Sequence, residues 1–174
     1  MPETVKLEAH CRANNQEAEL DAAEKFERAM GAGAYAFGGN VLVETQPGYM
    51  PYIPTRRLDE IAIEVADEVF GAGTGQPGQP TAGSEDMGDL CTILPVIQVY
   101  VNYMQGMHHT AEHRIADRGI YEVSPLFLAA FAARLLEEDG RLADEVLESY
   151  TPRFADVKEY CAFADRMFSE KNLP

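Results

Sequence analysis

Residues 40–58 read NVLVETQPGYMPYIPTRRL, and this short run changes character twice. Asn40 to Thr45 is rich in β-branched side chains (Val41, Val43, Thr45) and stopped by Pro47-Gly48, which predicts a strand. Tyr49 to Pro54 holds two prolines, each fixing its own φ and pushing the preceding residue toward extended backbone. This stiffened connector is the expected domain boundary. Thr55 then reads as the N-cap of a helix with Leu58, Ile61, Ala62, Val65 and Val69 on one face, closed by Gly71.

Toward the N-terminus, Val5, Leu7, Ala9 and Cys11 alternate with Lys6, Glu8, His10 and Arg12. A period of two predicts a half-buried strand with Arg12 ending its polar face. Asn14 followed by Glu17 looks like a capping pair, and Ala22, Phe26, Ala29, Met30, Gly33 and Phe37 then recur at helical spacing until Gly38-Gly39. Strand, helix and strand within the first 45 residues predict an α/β fold class.

Toward the C-terminus, GAGTGQPGQPTAG (residues 71–83) is a loop, and Leu94 to Val101 is apolar enough to predict a buried strand. Ser124-Pro125 predicts a helix start, with Leu128, Phe131, Ala132 and Leu135 inward. Thr151-Pro152 predicts another, with Phe154, Val157, Cys161, Ala164 and Phe168 in its stripe. No internal repeat is visible.

Composition narrows the functional classes. Hydrophobic residues make up 46% of the 174, which excludes global disorder. Fourteen basic against 29 acidic side chains give −15, spread along the chain, so nucleic acid is not an expected partner. Cys11, Cys91 and Cys161 are scattered, which suggests reduced thiols and a cytoplasmic protein. No apolar run approaches the ~20 residues of a membrane span, and Met-Pro-Glu-Thr does not open like a signal peptide. No membrane partner is expected.

Two segments gather groups able to do chemistry. Gly83-Ser84-Glu85-Asp86-Met87-Gly88-Asp89 reads plainly as a helix start with Ser84 as N-cap, or functionally as a glycine-lined wall for a ligand. Met107 to His113 (MHHTAEH) holds three of the four histidines, a crowding that suggests a metal or acid/base site, although each alone also fits a polar surface loop. His109-Thr-Ala-Glu112-His113 further fits H-x-x-E-H, the inverted zinc-protease motif. That motif needs a helix, and no apolar stripe supports one between Gly106 and Gly119.

The order of these parts carries a resemblance. A strand ending in Arg12, a long helix, a strand, the Pro47-Gly-Tyr-x-Pro51 connector, a helix, the G-S-E-D-M-G-D loop, a buried strand and then His109-Thr-Ala-Glu112 follow one another from about Val5 to Leu136. This resembles the C-terminal half of the zinc-dependent amidohydrolases related to aminoacylase, carboxypeptidase G and the aminobenzoyl-glutamate and amino-acid-conjugate hydrolases. The resemblance implies that residues 1–50 are part of a ferredoxin-like lid and dimerisation unit. It implies that 51–174 are the C-terminal part of an α/β metallohydrolase catalytic domain.

Arg12 would grip the substrate carboxylate, a role suited to a guanidinium fork. Gly83, Ser84, Glu85 and Asp86 would flank the substrate. His109 would be the last ligand of a zinc or other divalent metal, with His108 and His113 as alternatives. Ala111 and His113 replace the proline and phenylalanine of the family's His-x-Pro-x-Phe setting.

The family's His-x-Asp or Cys-x-His pair, its bridging Asp and its Glu-Glu pair with the general base have no counterpart here. The only histidine before His108 is His10, followed by Cys-Arg. The expectation is half of an amidohydrolase, inactive alone, acting on a small carboxylate substrate as a homodimer or with a complementary N-terminal half. The alternative is a non-catalytic dimerisation or carboxylate-binding module.

Overall fold

The computed structural model describes residues 3–78 and 85–174. Helices and short antiparallel strands together make it a mixed α/β chain. It divides into two compact units, each built from separate stretches of sequence. The first comprises the described residues of Met1–Ile53, Thr81–Ile93 and Arg153–Pro174; the second comprises those of Pro54–Pro80 and Leu94–Pro152.

In the first unit α1 spans Gln16–Ala36. Its N-cap is Asn15, one residue later than expected: extended backbone there lets the side chain accept from Ala18 N at 2.8 Å. β1 (Val41–Thr45) forms as expected and pairs antiparallel with β4 (Ser169–Leu173), from Val41↔Leu173 to Thr45↔Ser169. β4 escaped the sequence reading because SEKNL has no apolar alternation; its partner, not its propensity, makes it a strand. Helix and ribbon meet at Gly31, where an added Cβ would lie 3.2 Å from Leu173 Cβ. At their other meeting point Glu27 accepts from Thr45 Oγ1 at 3.0 Å and from Lys171 Nζ at 2.5 Å.

Two expectations for this unit fail. The strand at residues 5–11 does not form. These residues carry no regular structure, and Val5 is 79% exposed, because alternation without a neighbouring ladder leaves every backbone group to water. The α1 stripe is also not core. Phe37 is 95% exposed and Phe26 is exposed too, since a two-stranded ribbon covers only a narrow helix face.

α3 (Met87–Leu90) and α5 (Val157–Met167) complete the unit. α5 starts at an Asp156 cap, whose side chain accepts from Glu159 N at 2.8 Å while Glu159 accepts from Ala155 N at 2.7 Å. Thr151-Pro152 therefore precedes the helix instead of opening it. Phe154 is buried outside α5, against Tyr160 and Phe163, and Cys161, Val157 and Phe168 are exposed.

The second unit holds the main core. α2 (Arg56–Phe70) buries Leu58, Ile61, Ala62 and Val65 as expected, and Gly71 closes it at φ +107°. These side chains pack against Phe127, Phe131 and Val146 of α4 (Ile120–Ser149). Burial of these seven residues, at about 1.5–3 kcal/mol for each large side chain, dominates the unit's stability. Thr55 sits at the N-cap position, but its Oγ1 accepts from Val96 N at 3.1 Å and its N–H donates to Val96 O at 3.1 Å. That exchange anchors residues 94–101, which form no strand; Val96 is buried while Leu94, Val99 and Tyr100 are exposed.

α4 starts at Ile120, not at Ser124-Pro125, so Pro125 lies inside it. Asp117 Oδ1 receives Gly119 N at 2.8 Å, and Glu122 N and Val123 N both donate to Gly119 O, which nucleates the turn before the proline. Phe131 faces inward as expected, stacked on Phe127 at 5.7 Å, while Leu128 and Ala132 are exposed. Left-handed backbone at Glu138 (φ 51°), Asp139 (φ 58°) and Gly140 (φ 84°) breaks α4 into two helices. No described helix is long and apolar enough to cross a membrane.

Candidate functional site

Arg12 lies in the irregular N-terminal segment, its side chain exposed and without an ion pair to any described residue. Gly83 and Ser84 lie outside the described residues. Glu85 and Asp86 lead into α3, their carbonyls receiving Gly88 N at 2.9 Å and Asp89 N at 3.0 Å. Arg12, Glu85 and Asp86 belong to the first unit and the three histidines to the second.

The end of the G-S-E-D-M-G-D string grips the connector. A Cβ on Gly88 would lie 1.8 Å from Met50 O, so only glycine permits this approach. Asp89 Oδ1 accepts from Met50 N at 2.9 Å, and Cys91 Sγ accepts from Ile53 N at 3.4 Å while lying 3.0 Å from Gly88 O. Burial pushes the Cys91 thiol up, against the hydrogen bond from Ile53 N and with the Asp89 charge adding to it.

Tyr160 of α5 also bonds Asp89; burial first and the Asp89 charge second push its hydroxyl up to about 12. Burial, then the same charge, raises Glu19. The sequence reading singled out the string that ends in Asp89 but missed Tyr160 and Glu19, since their cluster exists only through tertiary packing. The one visible signal was Asp89's place beside Gly88.

The histidines occupy a hairpin. β2 (Met104–Gln105) pairs antiparallel with β3 (Arg114–Ile115), and Gln105 Oε1 receives Arg114 at 3.0 Å. Gly106 turns out of β2 at φ +86°, where an added Cβ would lie 2.4 Å from Glu112 O. Met107 O then receives both Thr110 N (3.3 Å) and Thr110 Oγ1 (2.8 Å), and Thr110 O receives His113 N at 3.1 Å. Two successive turns curl the loop so that His108 and His113 come together, ring centroids 4.5 Å apart. His113 is half-buried, with Nδ1 3.5 Å from Gly106 O; His108 and His109 are exposed. His109 takes φ +63°, a left-handed backbone unusual for a residue with a side chain.

No helix forms over 109–113, so His109, Glu112 and His113 lack the shared helical face that H-x-x-E-H chemistry uses. Among the described residues no group of three or more His, Cys, Asp or Glu side chains is placed to hold a metal. A hydrolytic zinc takes about three protein ligands and an open water position. The histidine loop does not fit that requirement by itself. Comparison with known proteins gives no match, neither to a family model nor to a curated protein nor to a solved structure.

Proposed function

We propose that this chain is the C-terminal portion of a metal-dependent amidohydrolase acting on an N-acyl amino acid or aminobenzoyl-glutamate-like substrate, active only with a complementary polypeptide. In this reading the first fifty residues are the partial lid and dimerisation unit. Arg12 anchors the substrate carboxylate, Glu85 and Asp86 border the substrate, and His109 supplies one imidazole to a metal held mainly by the complement. Such a metal, when bound, would polarise the amide carbonyl and activate water.

The observation that carries the reading is the backbone at His109. A non-glycine residue held at φ +63° in a tight loop is a strain that accumulates at functional sites, and it distinguishes His109 from its two neighbours. Arg12 adds to it, being a fork-shaped donor exposed and unpaired to any described residue.

The test joins this chain to a polypeptide carrying the family's first catalytic segment. Chelator-sensitive hydrolysis appears only in the mixture, and His109→Ala and Arg12→Ala each abolish it. Hydrolysis by the mixture that survives His109→Ala overturns the assignment. Chelator-sensitive turnover by this chain alone overturns the half-enzyme reading.

A further inference from the structure

The hairpin loop brings His108 and His113 together, a pair to which the proposed function assigns no joint role. From the His108–His113 pair we infer a bidentate site for a divalent transition-metal ion such as Ni²⁺. This inference stands independently of any role for His109.

The spacing is the first ground. With a metal–nitrogen bond of about 2.1 Å and the ring centre roughly 1.1 Å beyond, two imidazoles on adjacent corners of a square or octahedron have centroids about 4.5 Å apart. The tetrahedral angle would require about 5 Å. The observed separation is 4.5 Å, with the rings tilted by 37°.

The loop's construction is the second ground. His108 and His113 are five residues apart and meet only because Gly106 and the two turns through Thr110 curl the chain. Gly106 O lies 3.5 Å from His113 Nδ1, the carbonyl partner that commonly fixes a ligating histidine so that Nε2 keeps its lone pair. His108 is exposed, so water can complete the coordination shell. A chain of net charge −15 also favours cation approach. Imidazole selects borderline transition metals over Mg²⁺ and Ca²⁺, which prefer oxygen ligands.

The experiment titrates the untagged full chain with Ni²⁺, reading heat of binding and, in parallel, paramagnetic broadening of the histidine ring protons. The expected result is one Ni²⁺ per chain, with His108 and His113 broadened first. His108→Ala and His113→Ala each weaken binding at least tenfold, His10→Ala changes it less than twofold, and Mg²⁺ does not compete. Loss on His10→Ala equal to that on His108→Ala overturns the pair. So does retention after His108→Ala, or no binding by the unaltered chain at millimolar Ni²⁺. The broadening needs no substitution, so a misfolded variant cannot hide the answer. Because the readout is Ni²⁺ binding by this chain alone, failure here leaves the hydrolytic reading standing, and the reverse also holds.

Discussion

Gly88 and Asp89 make the sharpest claims for single residues. Alanine at 88 would drive a methyl group into the Met50 carbonyl, a backbone atom that cannot rotate away. Gly88→Ala should therefore cost about 4 kcal/mol or prevent folding, measured by chemical denaturation. Asp89→Asn removes the carboxylate charge and alters the hydrogen bond that, after burial, raise Tyr160. The tyrosine should then ionise at lower pH, yet still above its ordinary value near 10 because burial persists. Tyrosinate absorbance at about pH 11, with Tyr160→Phe as the control, reads the change. The histidine crowding and Arg12 were visible from sequence, because residue type alone announces them. The union of His108 with His113 was not, since it depends on two turns and on φ values no spacing rule encodes.

Elements were legible wherever the burial pattern was local. α2 followed from its own stripe, and β1 from its β-branched run and stop signal. Residues 5–11 and 94–101 carry equally good strand patterns and form no ladder, because a strand is a property of two segments. β4 is the converse, a polar segment made into a strand by β1. The Lys171 ammonium beside Glu27 holds its carboxyl below the usual glutamate range, with only 13% of the Glu27 side chain exposed. A depressed carboxyl contributes stability that is present above its unfolded value of about 4.3 and lost as pH falls through the lower folded value. Glu27→Gln should flatten that acid limb and cost roughly 0.5–1 kcal/mol at neutral pH in denaturation curves. In α4, Asp139 tolerates left-handed backbone where a β-branched residue does not. Asp139→Val should lower stability by about 1–2 kcal/mol, and Asp139→Gly by less than about 0.5.

For the whole molecule, the half-enzyme reading also expects self-association through residues 1–50. Val5, Leu7, Tyr35 and Phe37 are exposed there and offer apolar surface to a partner copy. Sedimentation at about tens of micromolar should show a two-fold dimer. A Leu7→Lys, Phe37→Lys double variant should dissociate it without lowering the melting temperature, and a monomer in the unaltered chain would count against the expectation. The first unit is stitched from three stretches of chain, and β1 waits for a partner 132 positions later, since Val41 pairs with Leu173. On the ribosome, at about 5–20 residues per second, β1 emerges roughly 7–26 s before β4 is made. Through that interval the nascent strand is a naked edge, and its brevity and the charge of Glu44 are its guards against wrong pairing. The second unit, whose last core residue is Val146, can condense before β4 is made and leave the ribbon to close afterwards.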